Sequence, residues 1–427
     1  MQPLPATPHQ TRSPRSTRAC HLFLLLMTLA FALNAEPGKG KPLNLVRGAI
    51  HRVSNITELM QALDSVNRAG VPATLLLGDG TYTLDVAALA ISCQGLVIRS
   101  EHGDRDAVIV RGPDEGPEAS VGNVFLVSAN DIVIADLTLG YCRFHGIQVR
   151  GEAPYDVSGL QVHNCRLINC NEQFIKGSSH DADPVGATNG TIEYCTFEFA
   201  SGWAYQYYTG GIDIHKGVNW IVRDNVFRNL RTQPDAGAMA EHAIHFWKRC
   251  STRPQNVVVE RNQIVNCDRG IGFGLTDLAG GHQGGESIIR NNFIYNDGTG
   301  PRTDVGIGLE FADNVTVDNN TVVITGYWAP IEYRFNGSSN LVFRNNLVNG
   351  PIQQRDNAPP AQLANNLTSA RPEWFRDLAN GDLHLTDHAA AAIDAGLTLP
   401  AFSSDLDGDP RPQGTAWDIG ADEHNHN

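Results

Sequence analysis

Lysine is nearly missing from this chain. Only Lys39, Lys41, Lys176, Lys216 and Lys248 stand among 32 basic residues, and the rest are Arg. Charge of every kind is sparse, at 18% of residues, against about a quarter in an ordinary globular protein. The net charge of −14 offers no cationic face for phosphates, which excludes a general nucleic-acid binder. No sustained a/d heptad is present, so a coiled coil is excluded. Phosphate-loop and dinucleotide fingerprints are absent. None of the eight Cys has metal-ligand spacing. Hydrophobic residues at 41% nevertheless exclude wholesale disorder.

The N-terminus reads as a targeting segment. Arg12, Arg15 and Arg18 precede the apolar run LFLLLMTLAFA at residues 22–32, and small residues follow up to Ala35. The run is too short to span a bilayer and fits a secretory signal. The expected signal peptide is 1–35, with Ala32 as the alternative cut. No Asp or Glu lies before that point, so the mature charge becomes −17. No later apolar stretch is long enough to span a membrane, so a secreted or periplasmic, monomeric protein is expected.

A repeat organises most of the rest. Units such as IVRDNVF (221–227), VVVERNQI (257–264), SIIRNNFI (287–294), VTVDNNTV (315–322) and LVFRNNLV (341–348) align on one column. It runs Leu137, Cys165, Cys195, Asn225, Asn262, Asn292, Asn320, Asn346 and Asn366, with a mean spacing of about 29 residues. Each unit is β-branched and bounded by Gly, Asn and Asp, and no amphipathic helix separates the units. That excludes βαβ folds and helical solenoids. A stacked Asn column with repeats of this size describes an all-β parallel β-helix, each repeat one rung, the amides satisfying one another along the stack. In this register Cys142 stacks on Cys170 and Cys165 on Cys195. Stacked side chains point in parallel, which suits buried thiols better than disulfides.

The ends differ. NITELMQALDSVNRAG (55–70) reads as a capping helix with Asn55 and Glu58 as its capping box and Leu59, Leu63 and Val66 on one face. The expected organisation is an N-terminal cap with first rungs at 36–100, the β-helix at 101–370 and an irregular C-terminal cap at 371–427.

On these residues the sequence resembles the right-handed parallel β-helix, or pectate-lyase-like, superfamily. The segment ITELMQALDSVNRAG…LLLGDGTYTL is similar to the front of the chondroitinase-B and alginate-lyase group. The tail AAIDAGLTLP…DLDGDPRPQGTAWDIGADE resembles a C-terminal segment of many secreted bacterial β-helix proteins. The resemblance implies a right-handed, single-stranded solenoid. It is specific for fold, since the fold hosts lyases, hydrolases, epimerases and inert adhesins.

A second column locates a surface. HGIQVRG, GGIDIHKG, HAIHFWK, RGIGFGL, VGIGLEF, PIEYRF and PIQQRD align on Ile147, Ile212, Ile244, Ile271, Ile307, Ile331 and Ile352, while EQFIKG (172–177) falls out by one residue. Alternation turns the isoleucines inward. It turns outward Gln148 and Arg150, Asp213 and His215, His245 and Trp247, Gly272 and Gly274, Gly308 and Glu310, Glu332 and Arg334, then Gln353 and Arg355. At about 4.8 Å per rung, His215 and His245 become neighbours, as do Glu310 and Glu332. The loop SGWAYQYYTGG brings Trp203 and Tyr207 beside this face, where aromatic rings suit sugar faces. Lys176, Lys216 and Lys248 are expected together at the strand ends.

These groups match the needs of β-elimination from a uronic-acid polymer. Lys216, His215 or His245 would act as base or acid, and Arg334 would hold the carboxylate. Arg150, Trp203, Tyr207, Trp247, Lys248 and Arg355 would bind the glycan. Asp213, Glu310 and Glu332 would hold Ca²⁺. The expectation is a polysaccharide lyase on an acidic glycan. The alternatives are a glycoside hydrolase using Glu310 and Glu332, and a non-catalytic glycan-binding or envelope structural protein.

Overall fold

The computed structural model describes residues 36–250 and 252–425; the expected signal peptide lies outside the described residues. Three long sheets, parallel throughout, wind about one core and form a right-handed parallel β-helix. One sheet has 12 strands, from Ala49–Val53 to Gln362–Ala364. The second has 10, from Gly80–Thr83 to Leu347–Val348. The third, here the polar sheet, has 10, from Leu89–Ile91 to Ile352–Arg355.

The frequent Asn-Asn pairs have a division of labour. The first residue of each pair turns the corner between two strands in the left-handed region, with φ 52° at Asn291, 49° at Asn319 and 52° at Asn345. Asn tolerates that region better than other residues with a side chain. The second Asn points inward and builds the ladder. Asn225 Nδ2 donates to Asn262 Oδ1 at 3.0 Å, Asn262 to Asn292 at 3.0 Å, Asn292 to Asn320 at 2.9 Å, Asn320 to Asn346 at 3.0 Å and Asn346 to Asn366 at 2.8 Å. Each Oδ1 also accepts a backbone N–H from the rung before, as when Asn262 N donates to Asn292. Early rungs substitute Cys: Cys195 N still donates to Asn225 Oδ1, and Cys165 N lies 3.4 Å from Cys195 Sγ. Cys142 pairs with Cys170 in register. All seven described cysteines are buried free thiols.

The inward column of the polar sheet runs Ile147, Ile175, Ile212, Ile244, Ile271, Ile307, Ile331 and Ile352 without a gap. Fully burying each such side chain contributes about 1.5–3 kcal/mol. Ile175 therefore belongs to the column, which shifts the 172–177 rung by one residue from its expected register. Gly177 hides this in the sequence. It takes the inward place held by Val149 and Ile214 in its neighbours, and a Cβ there would lie 2.8 Å from Ile214 Cδ1.

The helix Ile56–Ala69 forms as expected, with Leu59, Leu63 and Val66 buried. Asn55 Oδ1 caps Glu58 N at 3.0 Å, while Glu58 reaches one residue further back, to Ser54 N at 2.8 Å. The C-terminal segment is mostly irregular but packed. Trp374, Phe375, Leu383, Leu406 and Ile419 share a small core with Phe293 and Tyr295 of the solenoid. Among the described residues no helix is long and apolar enough to cross a membrane.

Candidate functional site

The outward face of the polar sheet carries two rows of side chains, set by the register. One row reads Gln148, Lys176, Asp213, His245, Gly272, Gly308, Glu332 and Gln353. In the other, Arg150 pairs with Ser178, His215 with Trp247, and Glu310 with Arg334, which pairs in turn with Arg355. His215 and His245 are thus diagonal rather than direct neighbours, and so are Glu310 and Glu332.

The chemistry concentrates around Lys176, which the shifted register brings onto this face. Its Nζ lies 2.6 Å from Asp213 Oδ2 and 3.0 Å from His215 Nε2. Trp247 Nε1 donates to Asp213 Oδ1 at 2.7 Å, and the Trp247 ring stands edge-on to His215, centroids 4.4 Å apart. Lys176 and Asp213 are both buried. Burial opposes ionisation of Asp213, but the Lys176 charge and His215 hold its carboxyl well below the usual carboxylate range. Burial, against the pull of Asp213, lowers His215, so its imidazole is neutral at neutral pH. An ammonium only donates, so His215 Nε2 accepts from Lys176 and the ring proton sits on Nδ1. A cation, a carboxylate and a neutral imidazole with one basic nitrogen thus meet at one point.

Beside this point a cavity of about 950 Å³ opens at the strand ends, lined in part by Asp181, Lys216, Trp247, Lys248 and Leu278. On the opposite side the loop before Gly210–His215 presents Tyr207, 50% exposed, and Tyr208, 43% exposed. The loop's Trp203 is covered by the Arg231 guanidinium, 4.3 Å from the ring centroid.

Several expected roles do not survive the geometry. Lys216 does not stand with Lys176. It ends its strand in the left-handed region at φ 51°, and its Nζ donates to three backbone carbonyls, those of His180, Asp181 and Asp183, at 3.1, 2.9 and 2.7 Å. All three N–H bonds of the ammonium are used in holding that loop, which leaves it no lone pair to act as base. Lys248 also ends its strand at positive φ, 62°, and pairs with exposed Asp181 at 3.0 Å. Arg334 lies four rungs from His215, about 19 Å at 4.8 Å per rung. It bridges Glu310, at 3.1 Å, and Asp356. Arg355 is held by Glu332 at 2.8 Å and Tyr327 Oη at 2.9 Å. Arg150 is engaged by Glu152 at 2.8 Å and stacks on Tyr155 at 3.6 Å.

The three acids expected to share Ca²⁺ do not converge. Asp213 lies four rungs from Glu332 in the same row and is committed to Lys176, while Glu310 and Glu332 face Arg334 and Arg355. The face is not bare at outward Gly272 either, because the His242 ring lies over it, 2.6 Å from where a Cβ would stand. His245 is buried, and its Nε2 donates to Gly274 O at 2.9 Å.

No family model matches this sequence, and no curated protein matches it. Among solved structures, pectate lyase Pel9A aligns over 90% of this chain and 98% of its own, with a TM-score of 0.54 and 14% identity. The A-module of the Azotobacter vinelandii mannuronan C-5 epimerase AlgE4 covers 74% of this chain and 95% of its own, at TM-score 0.49 and 14% identity. An alginate lyase from Paenibacillus covers 74% and 97%, at TM-score 0.41 and 14% identity. The likeness to Pel9A shows the parallel β-helix fold.

Proposed function

We propose that this protein is a secreted or periplasmic polysaccharide lyase that cleaves a uronic-acid-containing glycan by β-elimination. The reading rests on one observation, the cluster of buried Lys176 and Asp213 with half-buried His215 on the polar face. A uronate carboxylate entering the face competes for the Lys176 ammonium, which neutralises it and acidifies the C5 proton. That exchange frees His215 Nε2 to take the proton. The C5–H electrons form the C4–C5 double bond, the C4–O bond breaks, and the imidazolium returns its proton to the leaving oxygen. One group serving as base and then acid requires the proton and the leaving oxygen on the same face of the ring. Exposed Tyr207 and Tyr208 supply flat surfaces for neighbouring sugars.

A panel of uronic-acid polymers, with Ca²⁺ and with chelator, tests this through the ultraviolet absorbance of the unsaturated product. Absorbance that rises with wild type and not with His215→Ala supports elimination. Binding without turnover would leave a glycan-binding protein instead.

One observation favours a second reading, a glycoside hydrolase. Burial raises Glu310, whose Oε2 has no partner, and diagonal Glu332 stays tied to Arg355. Two carboxyls in unlike surroundings on adjacent rungs is the arrangement that a glycoside hydrolase uses. Reducing ends without unsaturation, lost in Glu310→Gln, would select it.

A further inference from the structure

The leading end of His242–Trp247 holds a cluster that the elimination does not use. Glu241, His242 and His245 each offer a ligand atom, and the three atoms lie within 4.8 Å of one another. His242 and His245 face each other with ring centroids 4.4 Å apart. By strand alternation His242 belongs inside. The register is continuous, His242 opposite Arg269 and Ile244 opposite Ile271, yet the His242 ring lies over outward Gly272 of the next rung. Only a residue without Cβ leaves that space, since a Cβ on Gly272 would meet the ring at 2.6 Å.

The donor atoms are prepared as well as gathered. His245 Nε2 faces a carbonyl, which only accepts, so it carries the proton and Nδ1 keeps its lone pair. An imidazole that donates its other nitrogen to a backbone carbonyl is the usual second partner arrangement of a metal ligand. His242 Nδ1 is buried and has no hydrogen-bond partner. A fourth group points the same way. Gln173 is wholly buried with neither amide atom partnered, and it flanks Gly210 together with Glu241: a Cβ on Gly210 would lie 3.1 Å from Glu241 Cβ and 3.6 Å from Gln173 Cγ. Buried polar atoms of this kind are costly to leave unsatisfied unless a partner fills the space between them.

We infer that Glu241, His242 and His245 form a binding site for one divalent transition-metal ion, zinc in type, on the polar face. Two imidazoles and a carboxylate leaving a position open suit Zn²⁺, whereas Ca²⁺ takes oxygen ligands throughout. The ion would sit one rung from Asp213, which pairs with His245 in register. A uronate carboxylate could take its open position, a use that rests on the proposed elimination; the site itself does not.

Equilibrium dialysis of the chelator-treated full chain against Zn²⁺ tests it, with Co²⁺ as a spectroscopic substitute. One equivalent should bind, and Co²⁺ should give the visible bands of a low-coordinate site. Glu241→Gln and His242→Ala should each weaken binding at least about tenfold, the scale on which even outer partners of a metal act. Gly272→Ala, which leaves all three ligands in place but displaces the ring, should weaken it too. His384→Ala, in a separate group with Asp407 and Asp422, should leave it unchanged. Wild type that binds no Zn²⁺, binding that survives His242→Ala in folded protein, or loss only in His384→Ala would each overturn the site. Metal binding is read here without substrate, so its failure and that of the elimination are separable.

Discussion

Lys176 and Asp213 form a buried ion pair between neighbouring rungs, Nζ to Oδ2 2.6 Å apart, and among the described residues no other Lys or Arg pair of the polar sheet is as buried. Removing one member strands the other. Lys176→Met should cost about 3–5 kcal/mol, because the Asp213 carboxylate stays buried with its charge uncompensated. Lys176→Met with Asp213→Asn should restore most of it. Urea unfolding of the two singles and the double gives the coupling; equal losses in single and double would mean the pair does not interact.

Acid should weaken the fold through buried histidines. Burial brings His145 down to about 4 and His282 down to about 3, from an ordinary 6.5. As pH falls below 6.5 the unfolded chain takes up these protons and the folded chain does not, so stability drops until the folded values are reached. His282→Gln should remove its share, about 2 kcal/mol between pH 7.5 and pH 5. Urea midpoints of variant and wild type at the two pH values check the difference, in which other titrating groups cancel.

The ladder should be least tolerant in its middle. Asn292→Ala orphans the Asn262 backbone N–H, takes one acceptor from the Asn262 amide and one donor from Asn320 Oδ1, and leaves a cavity in the ladder, and should cost about 2–4 kcal/mol. Asn366→Ala, at the last rung, should cost less because its amide is only partly buried. Thermal and urea unfolding rank them.

Lys216→Ala separates loop-holding from chemistry. With three carbonyls released, residues 179–186 should become the first site of limited proteolysis, while the remaining core unfolds at a nearly unchanged urea concentration. Unaltered cleavage would remove Lys216 from that role.

What the sequence disclosed followed from repetition under burial. The Asn and Ile columns are legible because a buried position tolerates few residue types, so each rung repeats them. The place of Lys176 in the outward row was hidden for the converse reason: Gly177 replaces an aliphatic residue and breaks the alternation that would have fixed the register. Arg334 and Arg355 read as free cations because their acids, Glu310 and Glu332, lie more than 20 residues back and meet them only across rungs. His242 was illegible, since its parity points inward and only the space left above Gly272 lets its ring lie on the outer face. The short motif His-x-x-His beside Glu241, read without regard to parity, was the available signal.

Rungs range from 20 to 37 residues between successive ladder positions, yet the hydrogen-bonded spine runs unbroken from Asn225 to Asn366. All the surplus length leaves at the far corners, around the polar sheet. The chain therefore separates inheritance from improvisation: the loops that meet a ligand can lengthen, shorten or be exchanged between rungs without disturbing the column that keeps the coil wound. Shortening the loop at 233–238, short of Glu241, is in those terms an edit to the margin and not to the spine.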